Sequence, residues 1–182
     1  MHYGIAFGPT AIPPALYGSR YTGTKLSASP TTLLANLEAA RRTNTRVLLN
    51  FTGHESRISD VHGFSMTKWK NRVDRFRGID FSSYIADGTI IGHIVMDEPQ
   101  DRNNWNGTTV SPAEVEEMAR YSKQIWPSLP TIVRAFPAYL QGYHYQYLDA
   151  AWAQYLEKFG DLNAFLSTNV RDAKASGLAL VS

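Results

Sequence analysis

Cysteine is absent from this 182-residue chain. Its absence excludes disulfide bonds, cysteine-ligated zinc sites and thiol nucleophiles, and it leaves the redox compartment undetermined. An apolar run of about 20 residues, the length of a membrane span, is also missing. The N-terminus shows no succession of basic region, apolar region and cleavage site. We therefore expect no membrane segment, and the localisation stays open, with secretion compatible with an incomplete N-terminus.

A strong net charge is missing as well. The chain has 18 Lys and Arg against 16 Asp and Glu, a net charge of +2. Because the two signs are interspersed, there is no electrostatic case for nucleic-acid binding. One basic stretch, Lys68–Arg77, is interrupted by apolar residues at helical spacing, which indicates a solvent-exposed helix face. The apolar fraction of 43% is ordinary for a folded domain with its own core.

Several site motifs do not occur. The chain contains neither the GxGxxG nor the GxxxxGK[ST] phosphate-binding motif, and it lacks the GxSxG motif of serine hydrolases. A metal set of His54, His93, Asp97 and Glu98 is conceivable, but no ligand spacing such as HExxH supports it. His93, inside an apolar run, fits better as a hydrogen-bonded core residue. We therefore predict neither a metal nor a cofactor.

The most informative stretch is the apolar, β-branched run Thr89–Met96. It is bounded by Asp87-Gly88 on one side and Asp97-Glu98-Pro99 on the other, which predicts a strand. Helical patterns precede and follow it, so we expect a parallel strand covered on both faces. In such folds the carboxyl ends of the strands carry the chemistry. Asp97 and Glu98 are therefore the predicted catalytic residues.

The rest of the chain alternates between predicted strands and helices. A long loop, Gly8–Ala28, follows the first strand. We predict helices beginning near Ser29, Ser65, Ser111 and Asp161, the first three with serine as the N-cap. A segment within Tyr147–Tyr155 fits a strand slightly better than a helix start. The other predicted strands are Tyr3–Phe7, Arg46–Phe51, Thr131–Phe136 and Leu178–Ser182.

This alternation predicts an α/β fold, a TIM-like (β/α) barrel in which residues 1–182 form one domain. The strand-to-helix loops are long and the helix-to-strand loops are short, which suggests a functional face at the carboxyl ends of the strands. A closed barrel of eight units typically needs ~250 residues, and we count about six strands. We therefore expect a partial barrel, truncated at the C-terminus. An open doubly wound sheet is the alternative.

Two polar residues join the predicted site. Asn50, at the end of a strand, could hold a sugar hydroxyl or Glu98, or could satisfy amides of its own loop. Arg134 lies in an apolar strand and needs a partner, which Asp97 or Glu98 would supply. That pairing could tune catalysis or be structural. Asp97 and Glu98 could also form a solvated turn, and alternation along a regular strand lets only one of them face inward.

Aromatic residues and amides are frequent in the loops of the presumed functional face. Flat rings beside hydrogen-bonding groups suit sugars, which offer an apolar face and a rim of hydroxyls. The rings could instead pack the loops against the domain. With His54 and Glu55, Trp105 and Tyr139 complete the predicted substrate-binding residues, and the other loop aromatics are Tyr17, Tyr21, Phe64, Tyr143 and Tyr145.

The segments Leu48–Phe51 and Met96–Pro99, with Ser-Pro helix starts between strands, resemble TIM-barrel glycoside hydrolases. The resemblance implies hydrolysis of a poly- or oligosaccharide, with Glu98 of the Glu-Pro pair as general acid/base and carbohydrate as the partner. Two features depart from the pattern. Glu98 follows the third predicted strand instead of the fourth, and the second carboxylate would lie beyond Ser182. A non-catalytic carbohydrate-binding barrel and an inactive barrel fragment are the alternatives.

Overall fold

A computed structural model describes residues 12–18 and 21–181. The predicted strand Tyr3–Phe7 lies outside these residues. None of the described helices is long and apolar enough to span a membrane. The described strands are β1 Gly23–Ser27, β2 Arg46–Asn50, β3 Ser59–Asp60, β4 Gly63–Phe64, β5 Ile90–Asp97, β6 Thr131–Arg134, β7 Ala150–Trp152 and β8 Ala179–Val181. The described α-helices are α1 Leu33–Arg42, α2 Met66–Asp74, α3 Ser82–Ala86, α4 Pro112–Ile125 and α5 Leu162–Ala175.

Six of these strands form one parallel sheet. Its spatial order, β1-β2-β5-β6-β7-β8, is also the order along the chain. The short strands β3 and β4 pair separately as an antiparallel hairpin. A doubly wound sheet reverses its strand order at a switch point, and the described strands show no reversal. Within the described residues β1 and β8 are the two edges, and this parallel α/β architecture is compatible with a partial barrel.

The two faces of the sheet are covered differently. On one face, strand residues such as Val47, Leu49 and Val133 join buried residues of α1, α2 and α4 in one large cluster. The buried cluster of the opposite face contains, among the described residues, strand residues alone, namely Leu48, Ile94, Ile132, Ala150 and Trp152. Helices therefore supply the main core on one face, and the strands pack on one another at the other face, as they do inside a barrel.

Three predicted helix starts are confirmed by their caps. Ser111 forms the complete capping box, because its hydroxyl accepts the Glu114 N–H while the Glu114 carboxylate accepts the Ser111 N–H at 2.8 Å. Asp161 accepts the Ala164 N–H at 2.8 Å, and Ser65 accepts the Lys68 N–H at 3.4 Å. Each cap satisfies a backbone donor that the first turn leaves free.

Two predictions are wrong, and one open alternative is decided. Helix α1 begins at Leu33 instead of directly after Ser29, whose hydroxyl is bound to that of Thr31 and caps nothing. The predicted loop Gly8–Ala28 contains strand β1, which pairs in parallel with β2. That pairing is a long-range contact that loop composition does not reveal. The ambiguous segment Tyr147–Tyr155 contains a strand, β7.

Candidate active site

A register shift near the end of β5 determines the direction of the side chain of its last residue, Asp97. The pairing between β5 and β6 shifts between Ile94 and Met96. Val95 and Met96 both pack in the helix-side cluster, and the indole N–H of Trp69 donates to the Val95 carbonyl at 2.7 Å. Two consecutive residues on one face shift the strand alternation by one position. Asp97 consequently points to the opposite face.

Asp97 is the centre of a charge network that joins three strands, β1, β5 and β6. Its side chain, 11% exposed, forms an ion pair with Lys25 of β1 at 2.9 Å and another with the Arg134 Nε of β6. Taking a carboxylate out of water is unfavourable unless cations compensate its charge. The partner that Arg134 needed is thus present. Asp97 itself does not line the cavity described below, so in this structure it orients Arg134.

Glu98 continues from β5 with a left-handed backbone, φ 46°. Its N–H donates to the Arg134 carbonyl at 2.9 Å, and its own carbonyl accepts the Trp105 indole N–H at 3.1 Å. A non-glycine residue in this conformation is strained by roughly 1–2 kcal/mol, so these contacts must hold it. The strand alternation ends here, and both Asp97 and Glu98 contact the same guanidinium, with Glu98 Oε2 3.4 Å from Arg134 Nη2.

A cavity of about 310 Å³ opens beside Glu98. Its walls combine aromatic rings with polar groups, and Glu98, whose side chain is 42% exposed, is the one carboxylate among the described lining residues. The Gln100 Oε1 atom is buried and accepts no hydrogen bond from the described residues. A ligand hydroxyl would satisfy it. The lining residues are Glu98, Gln100, Arg134, Ala135, Phe136, Trp152, Gln154, Leu156, Lys158 and Phe159.

Asn50 lies at the end of β2 but is not part of this cavity. Its side-chain oxygen accepts the Thr52 and Gly53 backbone N–H groups at 3.0 and 2.9 Å, as well as the Thr52 hydroxyl. The side chain is buried. Asn50 therefore does what the alternative interpretation expected, which is to satisfy the amides of the turn that follows β2.

The other predicted binding residues also lie away from the cavity. His54 is exposed and caps a short 3-10 helix, and Glu55 lies 3.5 Å from its ring nitrogen. Trp105 is fully buried, so its ring braces the loop after β5 and supports the Glu98 carbonyl. The Tyr139 hydroxyl donates to the Val110 carbonyl at 2.9 Å. Of the predicted binding residues, Arg134 alone reaches the cavity.

Sequence reasoning missed several residues of the site. Lys25 fell in a predicted loop, and Trp152 and Gln154 fell in the segment of ambiguous structure. Gln154 accepts a hydrogen bond from Arg134 Nη1, and the Trp152 ring lies 5.8 Å from the guanidinium carbon. The one available signal was Arg134, because an arginine in an apolar strand requires polar neighbours. The sequence does not identify which residues these are.

His93 lies on the other side of β5 from Asp97. Its ring is fully buried between Phe51 and Trp69, and its Nδ1 is hydrogen-bonded to the Ser122 hydroxyl at 2.9 Å. Burial lowers the pKa of His93 to about 3, because the charged ring would lose its hydration. Among the described residues, no three or more His, Asp or Glu side chains form a group that could hold a metal ion.

Comparison with known proteins finds no matching family model and no matching curated protein. Among solved structures, the glycoside hydrolase domain of PelA from Pseudomonas aeruginosa is similar, with a TM-score of 0.48 and 11% sequence identity over 97% of this chain and 81% of that chain. A variant of the same domain gives a TM-score of 0.46 and 10% identity over the same shares of the two chains.

Proposed function

We propose that this chain is a glycoside hydrolase built on a partial (β/α) barrel, with Glu98 as the general acid/base toward a poly- or oligosaccharide. One observation carries the proposal. Glu98 presents the sole carboxylate in the described wall of a cavity at the carboxyl ends of a parallel sheet, where such folds place their chemistry. A general acid must reach the glycosidic oxygen, and a partly exposed carboxyl at a cavity wall meets this requirement.

The neighbours of Glu98 have distinct roles in this proposal. Arg134 holds the Glu98 carboxylate from one side, and Asp97 acts as a positioning residue that fixes the guanidinium. Gln100 and Gln154 offer hydrogen bonds to sugar hydroxyls. The rings of Phe136 and Trp152 supply apolar surface for a sugar face.

Glycoside hydrolysis by this chemistry uses two carboxylates. One protonates the leaving oxygen, and the other attacks the anomeric carbon or activates water. Among the described residues the cavity wall contains Glu98 alone as an acid. The proposal therefore requires a second carboxylate that is not among the described residues of this cavity wall.

The same observation favours a second candidate function, a non-catalytic carbohydrate-binding barrel. A cavity with one carboxylate, several amides and aromatic walls is sufficient to bind a sugar. Hydrolysis and binding are separable by measurement, because a binding module gives titration heat without releasing new reducing ends.

The test compares Glu98→Gln with Glu157→Gln. Glu157 is the exposed first residue of a short neighbouring 3-10 helix, and it does not line the cavity. Against a panel of polysaccharides, we expect Glu98→Gln to lower reducing-end release by about 100-fold or more, because general acid catalysis is lost. Titration calorimetry should show sugar binding retained.

The control Glu157→Gln should behave as the unchanged protein. Equal hydrolysis by Glu98→Gln would remove Glu98 from the mechanism. Sugar binding without hydrolysis in the unchanged protein would favour the binding module. If the unchanged protein neither hydrolyses nor binds any polysaccharide of the panel, both functions are rejected.

A further inference from the structure

The basic stretch Lys68–Arg77 divides into compensated and uncompensated charges. Lys70 forms an ion pair with Glu117 at 2.9 Å, and Arg77 forms one with Asp74 at 2.6 Å. Lys68 donates to a backbone carbonyl. Arg72 and Arg75, at the C-terminal end of α2, form no ion pair with a carboxylate of the described residues.

A third arginine joins them at the turn after β2. The Arg72 Nε donates to the Thr52 carbonyl at 3.1 Å. Arg57 Nε and Arg72 Nη2 lie 3.9 and 3.7 Å from the position that a Cβ on Gly53 would take. The two guanidinium groups thus flank the same glycine. Arg75 follows Arg72 by three positions, the spacing of neighbours on a helix surface. We name these three residues the arginine cluster.

The arginine cluster forms no ion pair with a carboxylate of the described residues. The nearest acidic residues in sequence contact other groups, since Glu55 lies beside His54, Asp60 accepts the His62 N–H and Asp74 pairs with Arg77. The pKa of Arg72 is lowered first by burial and then by the positive charges of Arg75 and Arg57. Like charges held together without counter-charges raise the local concentration of anions.

We propose that the arginine cluster is a binding site for an oxyanion, namely a sulfate, phosphate or carboxylate group. Guanidinium groups present paired N–H donors that match two oxygens of such a group, and each bond is strengthened by charge. Gly53 lies between Arg57 and Arg72, where a Cβ would be in ordinary van der Waals contact with both side chains. The site follows β2 at the carboxyl end of the sheet, the same end as Glu98.

Two sources supply this chemistry, a free inorganic ion and an acidic substituent on a sugar chain. The second source rests on the proposed function, and the first does not. Titration calorimetry with sodium sulfate and with tetragalacturonate, each against sodium chloride at equal ionic strength, distinguishes them. Tighter binding of tetragalacturonate than of sulfate identifies a sugar-borne anion, and equal or weaker binding identifies a free ion. Cellotetraose serves as the neutral sugar.

The decisive variant is Arg57→Gln with Arg75→Gln. Neither side chain is hydrogen-bonded to another described residue, so we expect the variant to fold, and a cooperative urea transition checks this. Losing charge-assisted contacts should weaken oxyanion binding about tenfold or more. The control is Arg42→Gln with Arg171→Gln, which removes the same charge from two exposed arginines that are paired with carboxylates.

We expect the control variant to bind as the unchanged protein does. The proposal is overturned if the unchanged protein binds neither sulfate nor tetragalacturonate, or if the double variant of the cluster binds them equally well. Glu98→Gln should leave sulfate binding unchanged. Failure of hydrolysis therefore does not count against the oxyanion site, and failure of oxyanion binding does not count against Glu98.

Discussion

Strand β5 carries one buried titratable side chain on each of its faces, and the two are accommodated in opposite ways. His93 faces the helices, is fully buried among aromatic rings and has no ionic partner among the residues that the structure describes. Asp97 faces the other side and is held between the two cations Lys25 and Arg134. The surroundings of His93 favour a neutral side chain, whereas those of Asp97 hold a charged one in compensated form.

The physical reason lies in what each face offers. On the helix side the neighbours of His93 are rings and a hydroxyl, so the neutral form is the stable one, and its pKa falls to about 3. At the carboxyl end of the sheet the strands β1 and β6 bring cations within bonding distance of Asp97. At this position the neighbouring strands supply the opposite charge that a buried carboxylate requires. That end of the sheet also contains the cavity and Glu98.

The largest effect is expected for Asp97→Ala, which tests whether Lys25 and Arg134 need the Asp97 carboxylate as a counter-charge. The substitution leaves Lys25 and Arg134 partly buried without their carboxylate, and breaking a buried pair in this way typically costs 3–5 kcal/mol. We expect a loss of about that size in the free energy of unfolding, measured by urea titration.

Glu38→Ala is the control for that measurement, because the Glu38 pairs with Arg41 and Arg42 are exposed. Exposed pairs contribute about 1 kcal/mol or less. Equal losses for the two variants would show that the Asp97 network stabilises no more than a surface pair.

A second measurement concerns the pH dependence from His93. Its folded pKa, about 3, is below the ordinary value of 6.5, so the unfolded chain binds the proton first. The contribution of His93 is full above pH 6.5 and is lost as the pH falls toward 3. Between pH 7 and pH 5 we expect the protein to lose about 2 kcal/mol of stability through this residue.

His93→Gln should remove that part of the pH dependence, and His54→Gln, at an exposed histidine, should retain it. The quantity to compare is the difference in free energy of unfolding between the two pH values for each protein. An unchanged difference in His93→Gln would mean that the helix side tolerates the charged ring.

The smallest expected loss of stability concerns the contribution of Lys25 on the face of β5 that carries Asp97. Lys25→Met keeps the aliphatic stem but removes one of the two cations, while Arg134 continues to compensate Asp97. Losing one charge-assisted hydrogen bond should cost about 1.5 kcal/mol in urea unfolding. A loss as large as that of Asp97→Ala would identify Lys25 as the main partner, and no loss would assign the compensation to Arg134 alone.

Several features of the fold were predictable because they depend on neighbours in the chain. The capping box of Ser111 joins residues three positions apart, and the run that became β5 is recognisable from its β-branched composition and its bounding turns. The need of Arg134 for a carboxylate also followed from its apolar surroundings alone. These inferences required no knowledge of which strands are adjacent.

The sequence by itself determined the caps at Ser65, Ser111 and Asp161, the strand β5 and the position of two carboxylates at its end. Only the tertiary structure decided that β1 exists within a predicted loop, that Asn50 and Trp105 do not line the cavity, and which residues surround Glu98. The reason is distance along the chain. Lys25 and Arg134 lie 72 and 37 positions from Asp97, and they meet it because the strand order and the shift at the end of β5 bring their side chains to one face.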